Sequence, residues 1–205
     1  MDKNLILKTI ALGDLRTNCY VPGNGATGRA VIIDPAAEAG AIETVLKENN
    51  LAAEAILLTH GHYDHIGALA EFDLPVYVES SDADCLNDPA KNLSVLFGEG
   101  IKFGKPVIKI KDGDVLDIAG FKLKVIHTPG HTRGSTCFLV GNILFSGDTL
   151  FYRGIGRTDL PGGSYEQIIG SIREKLLLLD RAVNVYPGHG PSTTIGDEQT
   201  GNDFL

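Results

Sequence analysis

The sequence predicts an α/β layer protein built as one domain over residues 1–205. Three observations carry that expectation. The chain has 205 residues, 43% of them hydrophobic and 21% charged, enough for one sizeable core and ordinary for a water-exposed globule. Short β-rich apolar runs are interspersed with helical stretches whose apolar residues recur at three and four positions. Chemistry-bearing side chains follow the ends of several apolar runs, as is usual where strands deliver an active site from their loops.

The opening residues 4–12 read as a strand, and Cys19-Tyr20-Val21 begins another. Pro22 to Gly28 reads as a glycine-rich turn and Ala30 to Ile33 as a third strand, together an antiparallel meander. Gly23-Asn24-Gly25 is not followed by a helix, which argues against a nucleotide loop. Asp34-Pro35 has the form of a helix start, Asp capping free N–H groups and Pro at the first helical position. Ile42, Val45 and Leu46 give that helix its apolar face. Ala55 to Thr59 is the next strand, and a helix with Ile66, Leu69 and Ala70 on one face starts at Asp64. Val76-Tyr77-Val78 is a strand, and Ser81-x-x-Asp84 resembles a capping box. Residues 86–106, with Gly98, Gly100, Gly104 and Pro106, form an irregular excursion expected to wall one side of a cleft.

Val107 to Ile110 and Val115 to Ile118 flank Asp112-Gly113, which predicts a hairpin turn. Phe121 to Ile126, Thr136 to Val140 and Ile143 to Phe145 add strands, with Gly141-Asn142 turning between the last two. Ser164-x-x-Gln167 is a second capping box. Ile168, Ile169, Ile172, Leu176 and Leu179 make the buried stripe of the helix behind it. A strand to Tyr186 and a short terminal helix complete the chain.

One stretch stands apart. Thr59-His-Gly-His-Tyr-Asp-His-Ile-Gly67 places His60, His62, Asp64 and His65 within six positions. Packing does not call for that density of imidazole, whereas imidazole and carboxylate are the ordinary ligands of divalent metals. On an extended backbone His60 and His62 point to one side. Asp64 and His65 diverge and suit a second ion. Three further candidates, His131, Asp148 and His189, each follow an apolar run. Two of their loops read alike, Thr128-Pro129-Gly130-His131 and Tyr186-Pro187-Gly188-His189, each a tight turn aiming the next side chain. His127 lacks that position and reads as structural.

His60-x-His62-x-Asp64-His65 with His131, Asp148 and His189 resembles the metallo-β-lactamase superfamily. Thr17-Asn18-Cys19-Tyr20, Ile33-Asp34-Pro35, Gly147-Asp148-Thr149-Leu150-Phe151 and Gly156-Arg157-Thr158-Asp159 extend the likeness to its glyoxalase II group of thioester hydrolases. The resemblance implies an αββα sandwich. It implies one metal on His60, His62 and His131, a second on Asp64, His65 and His189, and Asp148 bridging both. Flavodiiron members carry Glu where this chain has His62, and lactamases with a zinc-ligating Cys carry it where this chain has Asp148. The chain ends 16 residues past His189, so the likeness is to the short type without the helical C-terminal extension that completes the glutathione site.

The expected reaction is cleavage of a thioester such as S-lactoylglutathione to a hydroxy acid and a thiol by a metal-bridging hydroxide, with Asp64 and Asp148 as catalytic carboxylates. A divalent metal lowers the pKa of bound water to about 7 and polarises a carbonyl. A thiolate leaves without strong acid assistance, the reference thiol pKa being about 8.5. Two zinc ions are the expected cofactor, with iron or manganese also compatible with such ligands. Arg157 falls where glyoxalase II holds a glutathione carboxylate and is the expected substrate contact, with Tyr152 beside it. A mononuclear iron persulfide dioxygenase, using residues matching His60, His131 and Asp148, and a lactonase or other ester hydrolase are the alternative readings.

The net charge of −8 disfavours nucleic acid or an anionic membrane as partner; the partner that the resemblance implies is a small-molecule thioester. Cys19, Cys85 and Cys137 are an odd, scattered set that reads as free thiols rather than a disulfide framework. The start, Met1-Asp2-Lys3-Asn4, has no apolar signal segment, and no window approaches a membrane span. A cytoplasmic location is expected.

Overall fold

The computed structural model describes residues 4–98 and 100–205. Its strands form two six-stranded sheets and a small ribbon. The first sheet runs in chain order: β1 (Leu5–Leu12), β2 (Thr17–Asn24), β3 (Arg29–Ile33), β4 (Ala52–Leu57), β5 (Val76–Glu79) and β6 (Ile108–Ile110). The first three strands are antiparallel, and from β3 onward neighbours are parallel. Parallel neighbours need crossovers, and two short helices, α1 (Ala39–Glu48) and α2 (Tyr63–Ile66), lie in them.

The second sheet contains β7 (Val115–Ile118), β8 (Phe121–His127), β9 (Thr136–Val140), β10 (Ile143–Gly147), β13 (Asn184–Pro187) and β14 (Thr193–Thr194). Its order is β14-β13-β10-β9-β8-β7, and only β10 and β13 pair in parallel. The crossover between them carries the ribbon β11 (Leu150–Phe151) and β12 (Gly154–Ile155). It then carries α3 (Tyr165–Ser171), which runs on into one π-type turn over Ile172–Leu176. A last helix, α4 (Ile195–Gly201), follows β14.

The strand alternation builds a four-layer sandwich, because successive side chains face opposite sides. Val31, Ile33 and Leu57 of the first sheet meet Leu123, Val125, Phe138, Ile143 and Phe145 of the second in the central core. On the other face of the first sheet, Ala30, Ile32, Ile56 and Leu58 pack with Ile42 of α1 and Ile66 of α2. Behind the second sheet, Ile126, Leu144 and Val185 pack with Ile168, Ile172 and Leu176. The αββα arrangement implied by the resemblance is therefore the observed one. No helix among the described residues is long and apolar enough to cross a membrane.

Five local expectations change. The helix expected from Asp64 through Ala70 is the single turn Tyr63–Ile66, followed by a separate 3-10 turn over Leu69–Glu71. β2 continues through Pro22 and Gly23 to Asn24, with Leu7 opposite Pro22, so the turn is confined to the residues that follow. Asp112-Gly113 does not close a hairpin. β6 belongs to the first sheet and β7 to the second, so this turn passes the chain between sheets. Asp34 does not cap a helix: it lies at φ 53, and α1 starts later, with Glu38 at its N-cap. Ser81 does not cap the 3-10 turn Ala83–Asn87, whose N-terminal flank is Asp82. By contrast Ser164 does cap α3, its hydroxyl accepting the Gln167 N–H at 3.3 Å.

Phe138 is fully buried between the sheets. Its replacement by Ala should cost about 3–5 kcal/mol. Urea unfolding of the purified protein reads this directly, and a loss below 1 kcal/mol would contradict the inter-sheet core.

Candidate metal centre

The seven candidate residues converge at one edge of the sandwich. β4 ends just before Thr59-His60, and α2 holds Asp64 and His65. His131 lies between β8 and β9, Asp148 follows β10, and His189 follows β13. His60, His62 and His131 form one group of donors, and Asp64, His65 and His189 another. Within each group the donor atoms lie within 4.8 Å of one another, and His60, His65 and Asp148 form a third such set.

Asp148 sits between the two main groups. Its Oδ2 is 3.6 Å from His131 Nε2 and 3.5 Å from His189 Nε2, and its Oδ1 is 3.4 Å from His65 Nε2. His62 Nδ1 and His131 Nε2 face each other at 2.9 Å. Asp64 Oδ2 lies 3.3 Å from His189 Nε2 and 3.6 Å from His65 Nε2. His60 Nε2, His65 Nε2 and Asp148 Oδ1 are buried and have no hydrogen-bond partner. Leaving such atoms unpaired costs about 1–3 kcal/mol each, so convergent orphaned donors fit a bound cation. Nitrogen and oxygen donors in this mixture suit zinc, iron or manganese.

The rings are oriented from behind. The Asp34 carboxylate, buried, lies 2.8 Å from His65 Nδ1 and also accepts the Thr59 N–H and hydroxyl at 2.8 and 2.6 Å. A proton on His65 Nδ1 leaves its Nε2 lone pair for the site. His131 Nδ1 is 2.8 Å from the Arg157 carbonyl, which selects the same tautomer. His189 Nδ1 is 3.2 Å from the Leu15 carbonyl. The Thr17 hydroxyl donates to Asp64 Oδ2 at 3.1 Å. Asn18 and Tyr20 bind the loop that carries His189. The Asn18 amide donates to the Pro187 and Gly190 carbonyls, and the Tyr20 hydroxyl to Pro187. The segment Thr17-Asn18-Cys19-Tyr20 thus steadies one quadrant of the centre.

Two glycines allow the close approach. A Cβ on Gly61 would lie 2.7 Å from Cys85 Cβ, and one on Gly188 would lie 2.8 Å from His65 Cε1 and run into the Asp148 carboxylate. Between them, Asp82 does what its sequence context conceals. It is buried, and it accepts the Gly61 N–H at 3.0 Å, the Gly134 N–H at 2.8 Å and the Thr132 hydroxyl at 2.7 Å. It therefore ties the His60–His62 loop to the His131 loop. Burial pushes its carboxyl above the usual range, while the Thr132, Gly61 and Gly134 donors oppose that.

The electrostatics separate the rings. Burial, followed by repulsion from neighbouring imidazoles, drives His60 well below the ordinary imidazole value. The same causes push His62 down to about 3. Burial also opposes the charged form of His65, but Asp64, Asp34 and Asp148 outweigh it and hold His65 well above that value. Burial disfavours the Asp64 and Asp148 carboxylates, yet the nearby His65 keeps both below the normal carboxylate range.

A cleft of about 600 Å³ opens over the centre. It is lined by His62, Asp64, His131, Asp148 and His189 together with Leu15, Leu93, Leu96, Phe97, Phe151, Ile155 and Leu160. The excursion after residue 86 does wall one side, through Leu93, Leu96 and Phe97. Arg157 also lines the cleft, but its guanidinium is paired in bidentate fashion with Asp159 at 2.7 and 2.8 Å. Tyr152 lies outside the lining, half exposed, with the Arg153 guanidinium 5.7 Å from its ring centre. His127 lies outside the centre as well, its Nε2 donating to the Arg133 carbonyl at 2.8 Å. All three cysteines are free thiols.

An αββα sandwich with histidines and aspartates gathered into adjoining metal-type sites at one edge is the architecture of a metal-dependent hydrolase class. The metallo-beta-lactamase superfamily model matches residues 12–189, and the chain belongs to that superfamily. It is similar to the structure of BLEG-1 B3 metallo-beta-lactamase, at 43% identity and TM-score 0.92, covering 98% of this chain and 99% of that one. It is also similar to TTHA1623 in a di-iron-bound form, at 37% identity and TM-score 0.85, covering 97% of this chain and 100% of the other. A curated relative is hydroxyacylglutathione hydrolase GloC of Haemophilus influenzae, 40% identical over 187 residues, 86% of this chain and 87% of that protein. The chain's relatives thus include a protein named as a lactamase, one named as a hydroxyacylglutathione hydrolase and one seen with two irons bound.

Replacing Asp82 by Ala leaves the Gly61 and Gly134 N–H groups without their acceptor. It should destabilise the protein by about 2–5 kcal/mol, with Asn milder than Ala. Chemical denaturation of both variants checks it, and equal loss for Asn and Ala would argue that the hydrogen bonds are not the cause.

Proposed function

We propose that the chain is a dinuclear metal-dependent hydrolase of thioesters, S-lactoylglutathione among them. The observation that carries this reading is Asp148 lying between two complete donor groups while His60 Nε2, His65 Nε2 and Asp148 Oδ1 are buried without partners. In this reading His60, His62 and His131 hold one ion, Asp64, His65 and His189 the other, and Asp148 both. Zinc is the proposed metal.

Two divalent ions in these positions would supply a water acidified to about neutral pH and a Lewis acid for the carbonyl oxygen. The rest is the work of this chain. Asp34 and the Arg157 carbonyl hold the protons of His65 and His131 on Nδ1, so that Nε2 of each ring faces the site. Thr17 fixes Asp64. Leu93, Leu96, Phe97 and Leu160 keep part of the cleft wall apolar. A thiolate leaving group needs no proton from the protein, consistent with a centre whose histidines are committed to ligation. An amide would need such a donor. A mononuclear oxygenase would use residues matching His60, His131 and Asp148 and leave the second group, Asp64, His65 and His189, without an ion, so the number of metals per chain separates the two readings.

Protein purified without added metal, analysed by mass spectrometry of its metals, should carry two ions per chain. Thioester hydrolysis should vanish on chelation and return with zinc. One iron per chain, with oxygen consumed on glutathione persulfide, would overturn the hydrolase.

Asp34→Ala should weaken metal binding by about 10–100-fold through loss of the His65 orientation, with Asn intermediate. Competition against a chromophoric chelator measures this without reference to turnover. Unchanged affinity would show that His65 needs no such support.

A further inference from the structure

The metal-side cleft has a built apolar lip. Leu96 is 69% and Phe97 57% exposed, and with Leu93 and Leu160 they border the candidate centre. Exposed apolar groups gathered at a cleft mark a ligand surface more often than an accident of packing. The Phe97 ring stacks on Tyr63, with centroids 4.4 Å apart.

This lip is held in place. Asn92 is fully buried, and its amide donates to the Cys85 and Ile101 carbonyls at 3.0 Å each. Its side-chain oxygen accepts the Ser94 N–H at 3.0 Å, and its backbone carbonyl accepts the Tyr63 N–H at 2.8 Å. Tyr63 follows His62 directly. The apolar wall and the candidate ligands are therefore fastened to one frame.

Charge around the cleft points the same way. Arg157 is the one cationic side chain of Lys or Arg type in the described lining, and Asp159 already occupies its guanidinium. The adjoining groove shares Leu15, Tyr63, Asp64 and Phe97 with the cleft and adds Asp14 and Glu38, with no Lys or Arg in its described lining. An anionic peptide arm would meet carboxylates on one side and hydrocarbon on the other.

We infer that the cleft selects thioesters through an uncharged apolar arm seated against Leu93, Leu96, Phe97 and Leu160, and not through the carboxylates of glutathione. This rests on the hydrolase reading for the reaction, but the selectivity can be tested apart from it. Non-hydrolysable thioethers serve as probes of the zinc-loaded protein in calorimetry: S-methyl- and S-hexyl-N-acetylcysteamine, and S-hexylglutathione. The hexyl compound should bind at least tenfold more tightly than the methyl one, and S-hexylglutathione no more tightly than its neutral counterpart. Leu96→Asp and, separately, Phe97→Ser should reduce the hexyl advantage to below threefold with both metals retained.

Equal binding of methyl and hexyl probes would overturn the inference. So would tenfold tighter binding of S-hexylglutathione that disappears in Arg157→Ala. Hexyl preference in a protein that hydrolyses no thioester would support the apolar selectivity and sink the hydrolase reading alone. Hydrolysis of S-lactoylglutathione without hexyl preference would do the reverse.

Discussion

Seven polar donors crowded at one edge of the sandwich are the constraint from which the rest follows. Imidazoles repel one another when charged, and carboxylates lose hydration when buried. Asp148 relieves part of this by lying between the two groups, within 3.6 Å of three rings. The remainder is left open in His60 Nε2, His65 Nε2 and Asp148 Oδ1. A fold tolerates such frustration where function requires it and compensates through the surrounding packing. Here three apolar clusters, one between the sheets and one behind each, provide that compensation.

Positioning is divided between two buried carboxylates that do not themselves belong to the donor groups. Asp34 works on the rings: it grips Thr59 and His65 at once, coupling the end of β4 to α2. Asp82 works on the backbone, joining the loops of His62 and His131 through Gly61, Thr132 and Gly134. Glycine is needed where these loops pass closest. The bulk of a Cβ at Gly188 would fall on Asp148, so the Pro-Gly-His pattern is a steric requirement of the centre as well as a turn signal. Control of tautomer and control of loop spacing are thus separate tasks given to separate residues.

What was legible in the sequence was whatever depends on local periodicity or on unusual residue density. The His60–His65 cluster, the stripe from Ile168 to Leu176 and the Ser164 cap are of that kind, and each appears in the structure where it was expected. What was not legible depends on partners far along the chain. Asp34-Pro35 matches the helix-start pattern, yet tertiary contact with His65, 31 positions away, holds Asp34 at positive φ instead. Asp112-Gly113 has hairpin chemistry, but β6 finds its hydrogen bonds with β5 and β7 finds its own with β8. Asp82 lay beside a plausible capping Ser and gave no signal, because its acceptors' partners lie 21, 50 and 52 positions away.

The same division separates what the superfamily shares from what this chain decides for itself. Metal-type donors come from loops at strand ends, which the sandwich places whatever the substrate. The lip at Leu93, Leu96 and Phe97 comes from the irregular excursion, which is anchored to the fold through Asn92 and through Leu86 and Phe103 in the core behind the first sheet. A segment anchored at such buried residues can vary at its exposed Leu96 and Phe97 without disturbing the donors, because the anchors and the exposed contact surface are different residues. Arg157 makes the complementary point: its backbone carbonyl is bound to orienting His131 while its guanidinium is tied up by Asp159. The backbone role persists under any side chain, so the chemistry of the centre and the choice of substrate can change independently at this single position.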